Sequence, residues 1–245
     1  AQPLAIEGGV GAAEVHGART AAGAVDAAKI EGLSGRYHTG TGDGAAAVER
    51  ARVQGADVGG VTLSEAEVVG AHAQREGTAV SGGLESASLA GLQSGSGGAG
   101  AAKIEGAHGT YDTATGDASG AVRSLRAEQI AGAGAEARSV AVDQLAASRR
   151  GESVRAEVAG AHAQGVNVAG THVGRIDAET LHGGRDAAGV ITAGADSLRA
   201  ADVRGDAVRA QALGAEGVTA RVEGGRGSVG AERVTGSQVD AAGAH

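Results

Sequence analysis

The chain has no Phe, Trp, Met or Cys, a single proline, and only Tyr37 and Tyr111 as aromatics. Without large side chains a two-layer globular core cannot be filled, so the interior must be thin, with backbone close to backbone. The lack of cysteine excludes disulfides and thiolate metal sites. Pro3 alone cannot make a Pro-rich linker. No apolar run approaches the ~20 residues of a membrane-spanning helix. Basic residues number 21 against 29 acidic, with signs interspersed and only Lys29 and Lys103 as lysines. With no basic patch to track phosphates, nucleic-acid binding is not expected. The first residues, AQPLAIEGG, lack a Met and suit a mature chain after removal of a signal peptide, so an extracellular or cell-surface location is expected.

What the chain has in quantity is glycine, 46 of 245 residues, together with Ala and Val in a strict rhythm. Leu198, Val203, Val208, Leu213 and Val218 fall five apart, each followed two places later by Ala or Gly. Val10, Val15, Thr20, Val25 and Ile30 do the same near the start. Five residues advance an α-helix by about 500°, so no apolar stripe forms. In a flat strand an odd period sends successive members to opposite faces. A chain that turns a corner every five residues satisfies the spacing, with two positions of each unit inward. On that reading Val208→Asp unfolds the molecule and Arg209→Ala does little.

Ala51 to Arg75 reads ARVQG, ADVGG, VTLSE, AEVVG, AHAQR, with the small residue first and the larger one two places on. This stretch resembles the pentapeptide-repeat family. The resemblance implies an all-β fold, a right-handed parallel quadrilateral β-solenoid with about 20 residues per coil.

The chain also repeats itself on a longer scale. Residues 101–118 match 27–44 at twelve of eighteen positions, at an offset of 74, and 156–164 match 66–74 at eight of nine. The expected organisation is one rod of two halves, 1–100 and 101–245. The first carries a Tyr loop at 32–44 and a Gly/Ser-rich stretch at 93–100, the second a Tyr loop at 106–120.

Signs of chemistry are few. There is no phosphate loop, dinucleotide fingerprint, H-E-x-x-H or nucleophile elbow, so no enzyme is expected. With 20-residue coils, His162 and His182 would stack one strand spacing apart and could share a metal, with Glu157 and Asp177 stacked beside them. The Tyr loops share T-x-T-G-D, and Asp43 and Asp117 with their threonines would suit Ca²⁺, though plain Asx or Thr turns account for the same residues.

The functional expectation is a structural, non-catalytic protein whose partner is itself. Uncapped ends would join copies head to tail into an extracellular fibre, sheath or surface layer. The alternative is an acidic soluble binding module. It could be a DNA-mimic inhibitor of a DNA-binding enzyme, as some acidic pentapeptide-repeat rods are, or a Ca²⁺- or ligand-binding scaffold.

Overall fold

The computed structural model describes residues 4–21, 23–206 and 208–241, and the chain is all-β. Two compact units divide at Arg123/Ser124. The first contains β1 (Ala5–Thr20), β2 (Gly23–His38), β3 (Gly44–Val58), β4 (Val61–Glu76), β5 (Ala79–Ser94), β6 (Gly97–Asp112) and the start of β7 (Ala118–Gly132). The second holds the rest of β7 with β8 (Ala135–Arg150), β9 (Ser153–Val168), β10 (Thr171–Arg185), β11 (Ile191–Arg204) and β12 (Val208–Glu223). It ends in the short strands β13 (Arg226–Gly230), β14 (Arg233–Ser237) and β15 (Asp240–Ala241).

The pairing is antiparallel: β1 to β6 each bond the next in sequence, as do β8 to β12, and β12 then carries β13, β14 and β15. An all-β repeat is therefore right, and a parallel solenoid of 20-residue coils is not. The reason lies in the turns. Gly59-Gly60 has φ of 59° and 81°, and Ala169-Gly170 has 48° and 80°. Two successive residues with positive φ make the type I′ turn, whose twist matches that of a hairpin and sends the chain straight back. These glycines reverse the chain where a solenoid corner would have carried it onward.

The five-residue rhythm has a second cause. Each of β1 to β12 contains one residue in the left-handed region, from Gly17 in β1 and Gly32 in β2 to Gly217 in β12. A left-handed residue inside a strand kinks it and interrupts the ladder. The β2–β3 ladder, for example, passes from Val25↔Ala56 to Ala27↔Gln54, leaving out Asp26 and left-handed Gly55. Between kinks the strands are regular, so the rows of paired residues fall at 10, 13, 15 and 18 in β1, in steps of three and two. That is a period of five made from alternation plus a kink.

The central rows are built from one triplet, small–polar–large. In unit 1 it reads Ala13-Glu14-Val15, Ala28-Lys29-Ile30, Ala51-Arg52-Val53, Ala66-Glu67-Val68, Ala87-Ser88-Leu89 and Ala102-Lys103-Ile104. Each triplet pairs with the next, centre on centre. Because neighbours run in opposite directions, the small residue of one faces the large residue of the next: Val15, Ala28, Val53, Ala66, Leu89, Ala102 form one row, and Ala13, Ile30, Ala51, Val68, Ala87, Ile104 the other. Paired residues share a face, and residues two apart share it too. One face is thus a checkerboard of large and small apolar residues. From β10 to β12 in unit 2 the order is reversed, as in Ile176-Asp177-Ala178 against Leu198-Arg199-Ala200 and Leu213-Gly214-Ala215, and the checkerboard is kept there. Between β9 and β10, by contrast, Ala161 faces Ala178, small on small. Of the deepest apolar side chains, Ala178 lies in these rows and Ala195, Val203 and Ala210 lie in the rows flanking them.

The opposite face carries the middle residues of the triplets. There Arg52 Nη2 lies 2.9 Å from Glu67 Oε1, and Lys29 and Lys103 pair with Glu31 and Glu105 of their own strands. These pairs are largely exposed and contribute little each. They keep this face wet and so define which face is apolar.

The strand pattern recurs with the offset seen in the sequence. β1, β5, β9 and β13 begin 74, 74 and 73 residues apart, so a four-strand block occurs three times and the beginning of a fourth, β13–β15, follows. Gln238, with φ of 47°, repeats in that last block the place of Gly17 in β1.

Candidate functional site

β2 and β3, β6 and β7, and β10 and β11 are each joined by five residues, and these are the two Tyr loops plus a third that has no tyrosine. In the first, the His38 amide donates to the Asp43 carbonyl (2.8 Å) and the Gly42 amide to the His38 carbonyl (2.9 Å). The second repeats this with Asp112, Asp117 and Gly116. Asp112 Oδ1 accepts the amides of Ala114 and Thr115, and Asp117 donates its amide to Thr115 Oγ1 at 3.2 Å. The third loop has the same logic: Asp186 Oδ1 accepts from the Ala188 and Val190 amides, both at 2.9 Å. These are Asx turns, in which a carboxylate replaces the missing backbone partner.

The loops also hold neighbouring turns. Thr113 donates amide and hydroxyl to the Thr78 carbonyl between β4 and β5, and Thr39 does so to the Leu4 carbonyl ahead of β1. Asp43 Oδ1 accepts the Gly77 amide at 2.7 Å. The Tyr37 ring lies against Gly44, where an added Cβ would come within 3.3 Å of it.

Asp43 and Asp117 thus belong to separate loops. The bond from the Gly77 amide, then that from Thr41, holds the Asp43 carboxyl below the usual range, and the amides of Ala114 and Thr115 do the same for Asp112. A carboxylate whose pKa is depressed by folding adds stability that is present above its unfolded value. That stability is lost as pH falls through the folded value. Acid should therefore weaken the molecule only below the ordinary carboxylate range. In urea titrations, Asp112→Asn is expected to lower the midpoint at pH 7 and to converge on the parent protein in strong acid. A difference that stays constant with pH would show that the charge is immaterial.

The histidines do not stack. His162 in β9 lies opposite Asp177 in β10, with Nδ1 2.7 Å from Asp177 Oδ1, and His182 in β10 lies opposite Glu157 in β9. The hairpin register thus puts the two imidazoles five positions apart along adjacent strands, because the chain doubles back instead of coiling. Asp177 is also bound by Arg175 Nε at 2.7 Å. Burial opposes its charge, and the bonds from Arg175 and His162 outweigh that, leaving its pKa lowered. Among the described residues no three metal-ligating side chains come together, and no helix is long and apolar enough to cross a membrane.

The feature with the clearest capacity for binding is one that residue motifs did not reveal, the outer edge of β1. Among the described residues β1 pairs with β2 alone, from Ala5 to Thr20 with only Gly11 and Gly17 left out of the ladder. Every residue of it is exposed, including Ile6 at 53%, Val10 at 46% and Val15 at 54%. Between its kinks such a long edge presents a row of unpaired amides and carbonyls. At the other terminus β13, β14 and β15 pair with β12 in three short pieces, also exposed, with Val229 at 82% and Val234 at 75%. Pro3 lies outside the described residues.

The fold and its edges define a class, an all-strand repeat protein of kinked antiparallel hairpins with alternating Ala and Val, Leu or Ile. Compared with known proteins, the chain matches no family model, no curated protein and no solved structure.

Proposed function

We propose that this is a structural, non-catalytic protein that assembles with copies of itself through the edges of its sheet, forming an extracellular fibre, sheath or layer. The observation that supports this is the sixteen-residue β1 edge, unprotected by any covering element or inward charge among the described residues. Natural sheets normally blunt such an edge with bulges, lysines or proline because it templates pairing with another chain. Here the edge carries apolar Val10 and Val15, in rows whose members further into unit 1, such as Val53 and Val68, are half-buried. The thin checkerboard supports the same reading. A sheet with one apolar face and little buried area gains from each added strand, as repeat arrays gain from each added unit. The five-residue pattern that resembles pentapeptide repeats is, on this reading, the mark of a strand kinked for stacking beside its like.

The reading is tested by sedimentation velocity from about micromolar to hundreds of micromolar, with electron microscopy of the concentrated samples. Growth of ordered assemblies with concentration is the expected result. A monomer that persists at the highest concentration, with no ordered material on the grid, would refute it.

A further inference from the structure

Resting on the assembly reading above, we infer that β1 joins a second copy of itself edge to edge about a two-fold axis, antiparallel, with Glu14 opposite Glu14 of the second copy. The register follows from rules the molecule already obeys. Neighbouring strands pair triplet centre on triplet centre, as in Glu14↔Lys29↔Arg52↔Glu67. In unit 1 each strand's triplet puts a small residue opposite a large one. Each also sets its left-handed residue opposite the kink of the next strand that is not left-handed, as Gly55 lies opposite Asp26.

Two copies of β1 meet all three conditions at once. With Glu14 on the axis, Val15 faces Ala13 of the second copy, Val10 faces Ala18, and left-handed Gly17 faces Gly11. Symmetry supplies each contact twice, which is the definition of an isologous joint. The charges agree as well. Arg19 falls opposite Gly9 of the second copy and so diagonal to its Glu7, within reach of long side chains. The two central glutamates repel, but each already holds a histidine: His16 Nε2 lies 3.0 Å from Glu14 Oε1. In the joint, His16 of either copy is also diagonal to the glutamate of the other.

The alternative partner, the outer edge of β14, fits less well. Its triplet, Val234-Thr235-Gly236, runs large to small. Set antiparallel on β1, it brings Val234 against Val15 and Gly236 against Ala13, so the checkerboard fails at both places. Among the described residues, the free edge that continues on β1 the small-against-large pairing of unit 1 is that of β1 itself.

The absence of cysteine makes a direct test simple. Directly opposed residues of an antiparallel pair have Cα atoms about 4.5–5.5 Å apart, inside the range a disulfide spans. Glu14 is exposed on the charged face, so Glu14→Cys leaves the apolar rows intact. Mild oxidation of this variant is expected to give a covalent dimer in high yield. Val15→Lys, measured without cross-linking, should weaken association on the order of tenfold, since a charge on an edge strand opposes pairing. The decisive comparison mixes a tagged Glu14→Cys chain with an untagged Thr235→Cys chain. Homodimers of the tagged chain support the two-fold joint. Abundant tagged–untagged dimers would overturn it in favour of a head-to-tail joint while leaving assembly itself standing. Failure of both variants to cross-link at concentrations where the parent protein assembles would also overturn it, whereas a parent that never assembles removes the reading beneath.

Discussion

Replacing Val53 by aspartate is expected to destabilise the protein by about 3 kcal/mol, from the lost apolar burial together with an unpaired charge set among apolar groups. Val53 is half-buried and lies between Ala28 on β2 and Ala66 on β4, the two small residues over which its side chain packs. There is no polar partner in that row to take up a carboxylate. One residue earlier, Arg52 points to the other face and pairs with Glu67 and Glu65. Arg52→Ala is expected to cost at most ~1 kcal/mol, as exposed ion pairs do. Chemical denaturation of the two variants measures the contrast directly. Equal losses at the two positions would show that the faces have been assigned wrongly.

The second large effect concerns the kinks. Gly70 in β4 has φ of 64°, and a Cβ there would come within 3.1 Å of the Glu85 Cβ on β5. Valine is expected to lower stability by about 2 kcal/mol, since the left-handed region costs an ordinary residue roughly 1–2 kcal/mol and a β-branched one more. Asparagine, which tolerates this region, should cost less. The opposite change is available in β10. Thr180 sits at φ of 49° in the place that Gly32 and Gly106 hold in β2 and β6, and Thr180→Gly is expected to raise stability by about 1 kcal/mol. Thermal unfolding of Gly70→Val and Thr180→Gly should therefore shift in opposite directions. A loss for Thr180→Gly would mean that its side chain contributes more than its backbone conformation costs.

The amino-acid sequence by itself determined that the chain is all-β, that its apolar core is thin, and that its pattern repeats every five residues and again after 74. Ala and Val two apart with a polar residue between, as in Ala51-Arg52-Val53, can only alternate faces of an extended chain. The absence of aromatics leaves no means to build anything thicker. The same letters did not decide direction. A corner that carries the chain onward and a turn that sends it back both use glycine, and Gly59-Gly60 is written alike for either. The difference is whether two successive residues take positive φ, which depends on the twist of the strands they join. Once the chain doubles back, everything set by register changes. His162 meets Asp177 instead of His182, and Asp43 bonds the Gly77 amide of another turn. The left-handed residues that make the five-residue period were equally hidden, because Gln129, Gln144, Thr180 and Asp202 hold that conformation without being glycine. The free edge of β1 also belongs to the tertiary structure. Its residues are ordinary members of the repeat, and only the pairing order leaves one side of them without a neighbour among the described residues.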